Sequence, residues 1–104
     1  LFFAPARGER PYRQIGVNPK GDYREMSYGE AAWDSGVKVV SETEAGVWDV
    51  RLVFPLERLG PGGAEPGQTV YANMYRGGDE PLAWSPTFDK SFHVLSQFGE
   101  IVLE

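Results

Sequence analysis

Side chains that could act as acids, bases or nucleophiles are few in this chain. Its 104 residues include one histidine, His93, and no cysteine. This excludes metal sites built from several imidazoles or thiolates, cysteine nucleophiles and disulfides. No Gly-x-Ser-x-Gly or phosphate-binding glycine motif is present. The carboxylate pairs Glu42 with Glu44 and Asp79 with Glu80 remain as acid–base candidates, but solvated loop acids explain them more simply. We therefore predict that the protein is not an enzyme.

Aromatic side chains are the more distinctive chemical feature. The chain has three Trp, five Tyr and six Phe residues. A flat aromatic ring can stack on the apolar C–H face of a sugar, while polar side chains around it bond the hydroxyl groups. A carbohydrate site therefore requires an exposed Trp or Tyr beside Asn, Gln, Arg, Asp or Glu.

Four candidates for such a site lie in the C-terminal half of the chain. Trp84 lies in the polar, proline-containing segment of residues 79–87, outside any apolar stripe, and we predict that it is the stacking surface. Arg76 ends a strand, where its guanidinium could bond vicinal hydroxyls or form a surface ion pair. Tyr75 and Asn73 lie in the same strand, on what is either a wet concave surface or the outer face of the sheet.

Two further candidates lie in the N-terminal half. Trp33 precedes a strand and suits a ligand contact or a packing position equally well. Asn18 precedes Pro19 and is either a ligand contact or the first residue of an Asx turn. Trp48, in contrast, lies on the apolar face of a strand, and we predict that it belongs to the core.

Short strands joined by turns must position these side chains. The 13 Gly and 8 Pro residues punctuate the chain, and no segment has the periodicity of a long helix. The clearest strand covers residues 47–54, where apolar residues alternate with a mixed face and a helical turn follows at residues 56–60. Further strands are predicted at residues 12–18, 36–41, 68–76, 92–95 and 100–103. The pattern predicts an all-β antiparallel sandwich or barrel formed by one domain, residues 1–104.

Charge and hydropathy exclude some partners. The net charge is −5, from 10 basic and 15 acidic residues, and the basic residues are scattered. An acidic surface repels phosphate backbones and anionic lipids, so neither nucleic acid nor a membrane is an expected partner. No apolar run approaches the roughly 20 residues that span a bilayer.

Short motifs follow one another in a distinctive order along the chain. They begin with a Tyr-x-Gln-x-x-Val-Asn-Pro-x-Gly strand and turn and continue to a Phe-Gly ending, and they comprise residues 12–21, Trp33, residues 46–60, Gly67, Asn73, Arg76, Trp84, His93 and residues 98–101. This order resembles family 9 carbohydrate-binding modules and their DOMON-like relatives. The resemblance covers nearly the whole chain but only the C-terminal part of such a module, so we expect the N-terminal strands to be missing.

This resemblance implies a jelly-roll-like sandwich in an extracellular or periplasmic protein that binds sugar without catalysis. Arg76 and Trp84 match the family pattern best, followed by Asn73 and Asn18, and then by Trp33. No cofactor is implied for these residues. The calcium site that is common in the family would use ligands in the missing N-terminal part, so the sequence identifies no metal ligand here.

Two alternatives to sugar binding remain. The domain could be a structural or interaction module that docks to a neighbouring domain of a larger enzyme or surface protein. It could also be a haem-binding DOMON relative, for which Met26, Met74 and His93 are the only candidate ligands. Met74 is more simply a core residue, because it lies on the apolar face of its predicted strand.

Overall fold

The fold is all-β, as the sequence pattern predicts. The computed structural model describes residues 1–59, 63–77, 81–85 and 87–104. Short 3-10 turns occur at Leu56–Arg58 and Leu95–Gln97. The strands in the described residues are β1 (Phe2–Ala4), β2 (Tyr12–Val17), β3 (Tyr23–Tyr28), β4 (Lys38–Glu44), β5 (Val47–Val53), β6 (Thr69–Asn73), β7 (Tyr75–Arg76), β8 (Leu82–Ala83) and β9 (Gly99–Val102).

A central antiparallel sheet organises the molecule. Its five strands lie in the order β3-β2-β1-β6-β9, so the N-terminal strand β1 is in the middle. The strands β4 and β5 form a separate antiparallel hairpin, and β7 pairs with β8 in a short ladder. The predicted sandwich and its jelly-roll topology remain predictions.

The central sheet buries side chains on both faces, which explains why β1 carries consecutive phenylalanines. In a strand, successive side chains point to opposite faces. Phe2 is fully buried in a cluster with Ala4, Tyr12 and Phe98, against which Tyr28, Tyr75 and Phe92 are packed among others. Phe3 points to the opposite face and meets the ring of Phe54 edge-on.

The hairpin covers that second face. Its inward residues Val39 and Leu52, with Phe54 just beyond β5, pack against a buried cluster of Ile15, Trp33 and Val37. The alternation predicted for residues 47–54 is therefore observed in part: Leu52 and Phe54 pack inward, whereas Val50, predicted on the same apolar face, is exposed. Trp48 is only half-buried, because it lies near the turn end of a hairpin that has no further strand beside it among the described residues.

Two local predictions were wrong, and one strand was not predicted. The segment at residues 92–95 forms no strand, because it belongs to an irregular covering segment that ends in a 3-10 turn. Met74 is exposed rather than buried, since the strand is interrupted there between β6 and β7. The edge strand β3 was not predicted, because Tyr-Arg-Glu-Met-Ser-Tyr shows no apolar alternation.

None of the described helical segments has the length and apolar character needed to cross a membrane.

Candidate functional site

Trp84 is held beside the short β7–β8 ladder. In that ladder Tyr75 lies opposite Ala83, and Arg76 lies opposite Leu82. The backbone N–H of Trp84 then donates a hydrogen bond to the Met74 carbonyl at 2.8 Å, which extends the pairing of the two strands by one position. The side chain of Trp84 is 49% exposed, as the sequence predicts for a ring outside the apolar stripe.

Gly99, the first residue of β9, supports the Trp84 ring from beneath. A Cβ atom at Gly99 would lie 2.6 Å from Trp84 Cζ3 and 2.7 Å from Cη2, well inside normal contact distance. The ring therefore lies directly against the backbone of the sheet edge. A ring that is supported on one side and exposed on the other is suited to stacking against a ligand.

Arg76 is exposed and close to Trp84. Trp84 is two positions beyond Leu82, the cross-strand partner of Arg76, so the two residues are diagonal neighbours about 7–8 Å apart. Strand alternation places them on the same side of the ladder, together with the exposed Met74 and Leu82. We call these residues, Met74, Arg76, Leu82 and Trp84, the Trp84 patch.

The ion pairs among the described residues join Arg7 to Glu100, Arg13 to Glu30 and Arg58 to Asp34. The acidic residues nearest to Arg76 along the chain, Asp79 and Glu80, lie outside the described residues, so the ion-pair alternative for Arg76 stays a prediction.

Asn73 stabilises the loop that carries Trp84. Its side chain is 0% exposed, although the sequence made it a candidate for ligand contact. Its Oδ1 accepts hydrogen bonds from the N–H groups of Met74 and Ser85, each at 2.9 Å. Its Nδ2 donates to the Ser85 carbonyl, also at 2.9 Å. Because the side chain is buried and both ends of its amide bond backbone groups, we assign Asn73 a positioning role and no ligand contact.

Tyr75 belongs to the aromatic cluster under the sheet. Its ring stacks on Phe92 at a centroid distance of 4.2 Å and on Phe2 at 5.4 Å. Its hydroxyl accepts a hydrogen bond from Gln14 Nε2 at 3.4 Å. Residues 92–98 cover the face of the strand that carries Tyr75. Both alternatives proposed for this face, a wet concave surface and the outer face of the sheet, are therefore wrong.

Trp33 is a core residue. Its ring is stacked on Phe54 and lies under the Arg13 guanidinium, whose carbon is 5.0 Å from the ring centroid. Its Nε1–H donates to the Arg58 carbonyl at 2.6 Å. Buried contacts on all these sides leave no surface for a ligand, so the packing alternative applies.

Asn18 forms the Asx turn that the sequence offered as one alternative. Its Oδ1 accepts hydrogen bonds from the N–H groups of Lys20 and Asp22 at 2.9 and 3.1 Å. The turn joins β2 to β3, at the edge of the central sheet opposite to the β6–β9 edge that carries Trp84. Asn18 is therefore not part of the Trp84 patch.

Phe88 is an exposed aromatic residue that sequence reasoning did not select. Its side chain is 89% exposed, and its backbone φ of 56° is unusual for a bulky residue. Residues in sparsely populated backbone regions cluster at binding and active sites, so Phe88 becomes a further candidate for ligand contact. The available signal was its position in a polar segment, between Thr87 and Asp89, a few residues after Trp84.

His93 is engaged in the covering segment. Its Nδ1 lies 3.0 Å from the Tyr12 hydroxyl, and its ring meets Phe2 edge-on at 4.9 Å. Burial, and next the neighbouring Tyr28 phenol, raise the pKa of Tyr12. These contacts give His93 a packing function and do not favour a role as a haem ligand.

Among the residues described here, no three His, Asp or Glu side chains are close enough together to hold a metal ion. Comparisons with protein-family models, with curated proteins and with solved structures found no match to this chain. The functional interpretation therefore depends on the geometry of the Trp84 patch.

Proposed function

We propose that the protein is a non-catalytic carbohydrate-binding module in which Trp84 stacks on a sugar ring. The half-exposed Trp84 ring, supported by Gly99, is the observation that carries this proposal. The motif order that resembles family 9 modules supports it independently. In this function the domain serves a larger extracellular or periplasmic protein that processes or displays glycans.

Stacking and hydrogen bonding both contribute to the proposed sugar binding. The apolar face of a sugar ring covers the exposed side of the indole, while its hydroxyl groups remain at the rim. The guanidinium of Arg76, a diagonal neighbour of Trp84, donates paired hydrogen bonds to vicinal hydroxyls. Phe88 is a second exposed aromatic ring, four residues beyond Trp84 along the chain.

Screening on glycans tests this proposal. The probe is a panel of immobilised oligosaccharides built from glucose, xylose, mannose and galactose, followed by calorimetry with the strongest binder. We expect Trp84→Ala to weaken binding by about 1 to 3 kcal/mol, the scale of a dominant aromatic contact. The substitution removes the stacking contact, so we expect the affinity for the sugar to fall while the number of bound sugars per protein stays the same.

Tyr23→Ala is the matched control. Tyr23 is 48% exposed, almost the same as Trp84, but lies on β3 at the opposite edge of the central sheet. Its substitution is expected to leave affinity unchanged. Absence of binding across the panel at millimolar sugar, or equal losses in both variants, would refute the proposal.

A second function, docking to a neighbouring protein domain, is favoured by the apolar side chains of the Trp84 patch. Met74 and Leu82 are both exposed beside Trp84, and an apolar surface of this kind also suits a protein partner. Leu82→Asp separates the two functions. It should abolish docking to a protein and should change sugar affinity less than Trp84→Ala does.

A further inference from the structure

The strand β5 has a free edge. It pairs with β4 along its whole length, from Val47 opposite Glu44 to Val53 opposite Lys38. Among the residues that the structure describes, no other strand pairs with β5. Two-stranded sheets are only marginally stable, and an exposed edge of this length is a template for pairing with another strand.

The turn of the hairpin determines which main-chain groups are free. Ala45 and Gly46 form a two-residue turn with φ values of 51° and 77°, so the flanking residues Glu44 and Val47 bond each other. Hydrogen-bonded and non-bonded pairs then alternate along the ladder. The N–H and C=O groups of Trp48, Val50 and Leu52 consequently point away from β4, and no described group accepts or donates a hydrogen bond to them.

The sequence of β5 is chemically symmetric about Val50. It reads Val-Trp-Asp-Val-Arg-Leu-Val. An antiparallel copy centred on Val50 sets Asp49 against the partner's Arg51, and it sets apolar residues against apolar residues at every other position. We propose that two copies of this chain associate through their β5 edges and form one continuous sheet across a two-fold axis.

The charges of the hairpin favour this partner. Asp49 lies directly opposite Glu42 of β4, and like charges in this position destabilise a sheet. Val40, Glu42, Asp49 and Arg51 line one shallow depression on the outer face. In the dimer the partner's Arg51 comes beside Asp49 at a non-hydrogen-bonded pair, where side chains are closest.

The same antiparallel register, centred on Val50, also buries exposed valine side chains. Val47 is 65% exposed and Val53 is 54% exposed, and the pairing brings each of them against the other in the partner. Pairing through the β4 edge about Ser41 is less favourable, because it sets Glu42 against the partner's Val40. The self-complementarity of β5 therefore identifies both the occupant of the edge and its register.

Sedimentation analysis of the full 104-residue chain, without any glycan, tests this inference. The wild type is expected to show a monomer–dimer equilibrium. Asp49→Arg and Arg51→Asp each create repeated like-charge pairs and should weaken association at least about tenfold. An equimolar mixture of these two variants restores opposite charges at both positions, so it should associate again.

Proline variants test whether the dimer forms through the free edge of β5. Val50→Pro removes an N–H that points away from β4, so it should abolish the dimer and leave the hairpin bonded. Thr43→Pro removes the equivalent N–H on the free edge of β4 and is the matched control, which should leave the dimer intact. The charge variants decide the question even if a proline variant fails to fold. A monomeric wild type up to about millimolar concentration, or a charge-variant mixture that stays monomeric, refutes the proposal.

Discussion

At the scale of single residues, the structure separates candidate residues that remain exposed from those that are buried in the fold. Asn73 and Trp33 have the polar and aromatic side chains of a sugar site, but both are buried and hydrogen-bonded to backbone groups. Trp84 and Arg76 remain exposed. Sequence alone could not make this distinction, because it depends on which backbone groups the chain brings near each amide or indole.

The positioning role of Asn73 predicts a measurable loss of stability. Asn73→Ala leaves the partly buried N–H and C=O groups of Ser85 without their Asn73 partner, which should lower the free energy of unfolding by about 1 to 3 kcal/mol. Chemical denaturation followed by circular dichroism measures this change. Asn18→Ala is the control: its turn is exposed, so water replaces the lost bonds and the cost should stay below about 1 kcal/mol. Equal costs for both variants would contradict the positioning role.

At the scale of elements, the close approach of Trp84 to β9 predicts a specific effect on the site. Gly99→Ala places a Cβ where the Trp84 ring lies, so the ring must shift from its support. We expect sugar affinity to fall at least about fivefold, equivalent to about 1 kcal/mol, with little change in unfolding free energy because the ring is at the surface. Calorimetry and denaturation measure the two effects.

The control is Gly16→Ala, where a Cβ meets nothing within 4 Å. This variant should change neither the sugar affinity nor the free energy of unfolding. Unchanged sugar affinity in Gly99→Ala would mean that the contact between Gly99 and the Trp84 ring is unimportant for binding.

The elements also show what a sequence pattern can predict. The strand β5 was predictable because one of its faces packs on the core and the other does not, which leaves a period of two in the sequence. The edge strand β3 lacks this signal, since no residue on it is fully buried. The ladder of β7 and β8 is too short for any periodicity, so the proximity of Arg76 to Trp84 could be expected only from the short loop between them.

At the scale of the whole molecule, one sheet supports two separate surfaces. One face of the sheet is covered by the aromatic segment near the C-terminus, and the other by the β4–β5 hairpin. The Trp84 patch belongs to the β7–β8 side and the free β5 edge belongs to the hairpin. The proposed sugar binding and the proposed self-association therefore involve different elements, and the loss of one is expected to leave the other intact.

The indole N–H signals of the three tryptophans give the most direct test of sugar binding at Trp84. A nuclear magnetic resonance titration uses the strongest binder from the glycan panel. Trp33 and Trp48 donate their indole N–H groups to the Arg58 carbonyl and to Ser41 Oγ, so their signals should stay in place. The signal of Trp84 should move progressively with added sugar. Saturable binding in which the Trp84 signal does not move, or in which the Trp48 signal moves instead, would contradict this account.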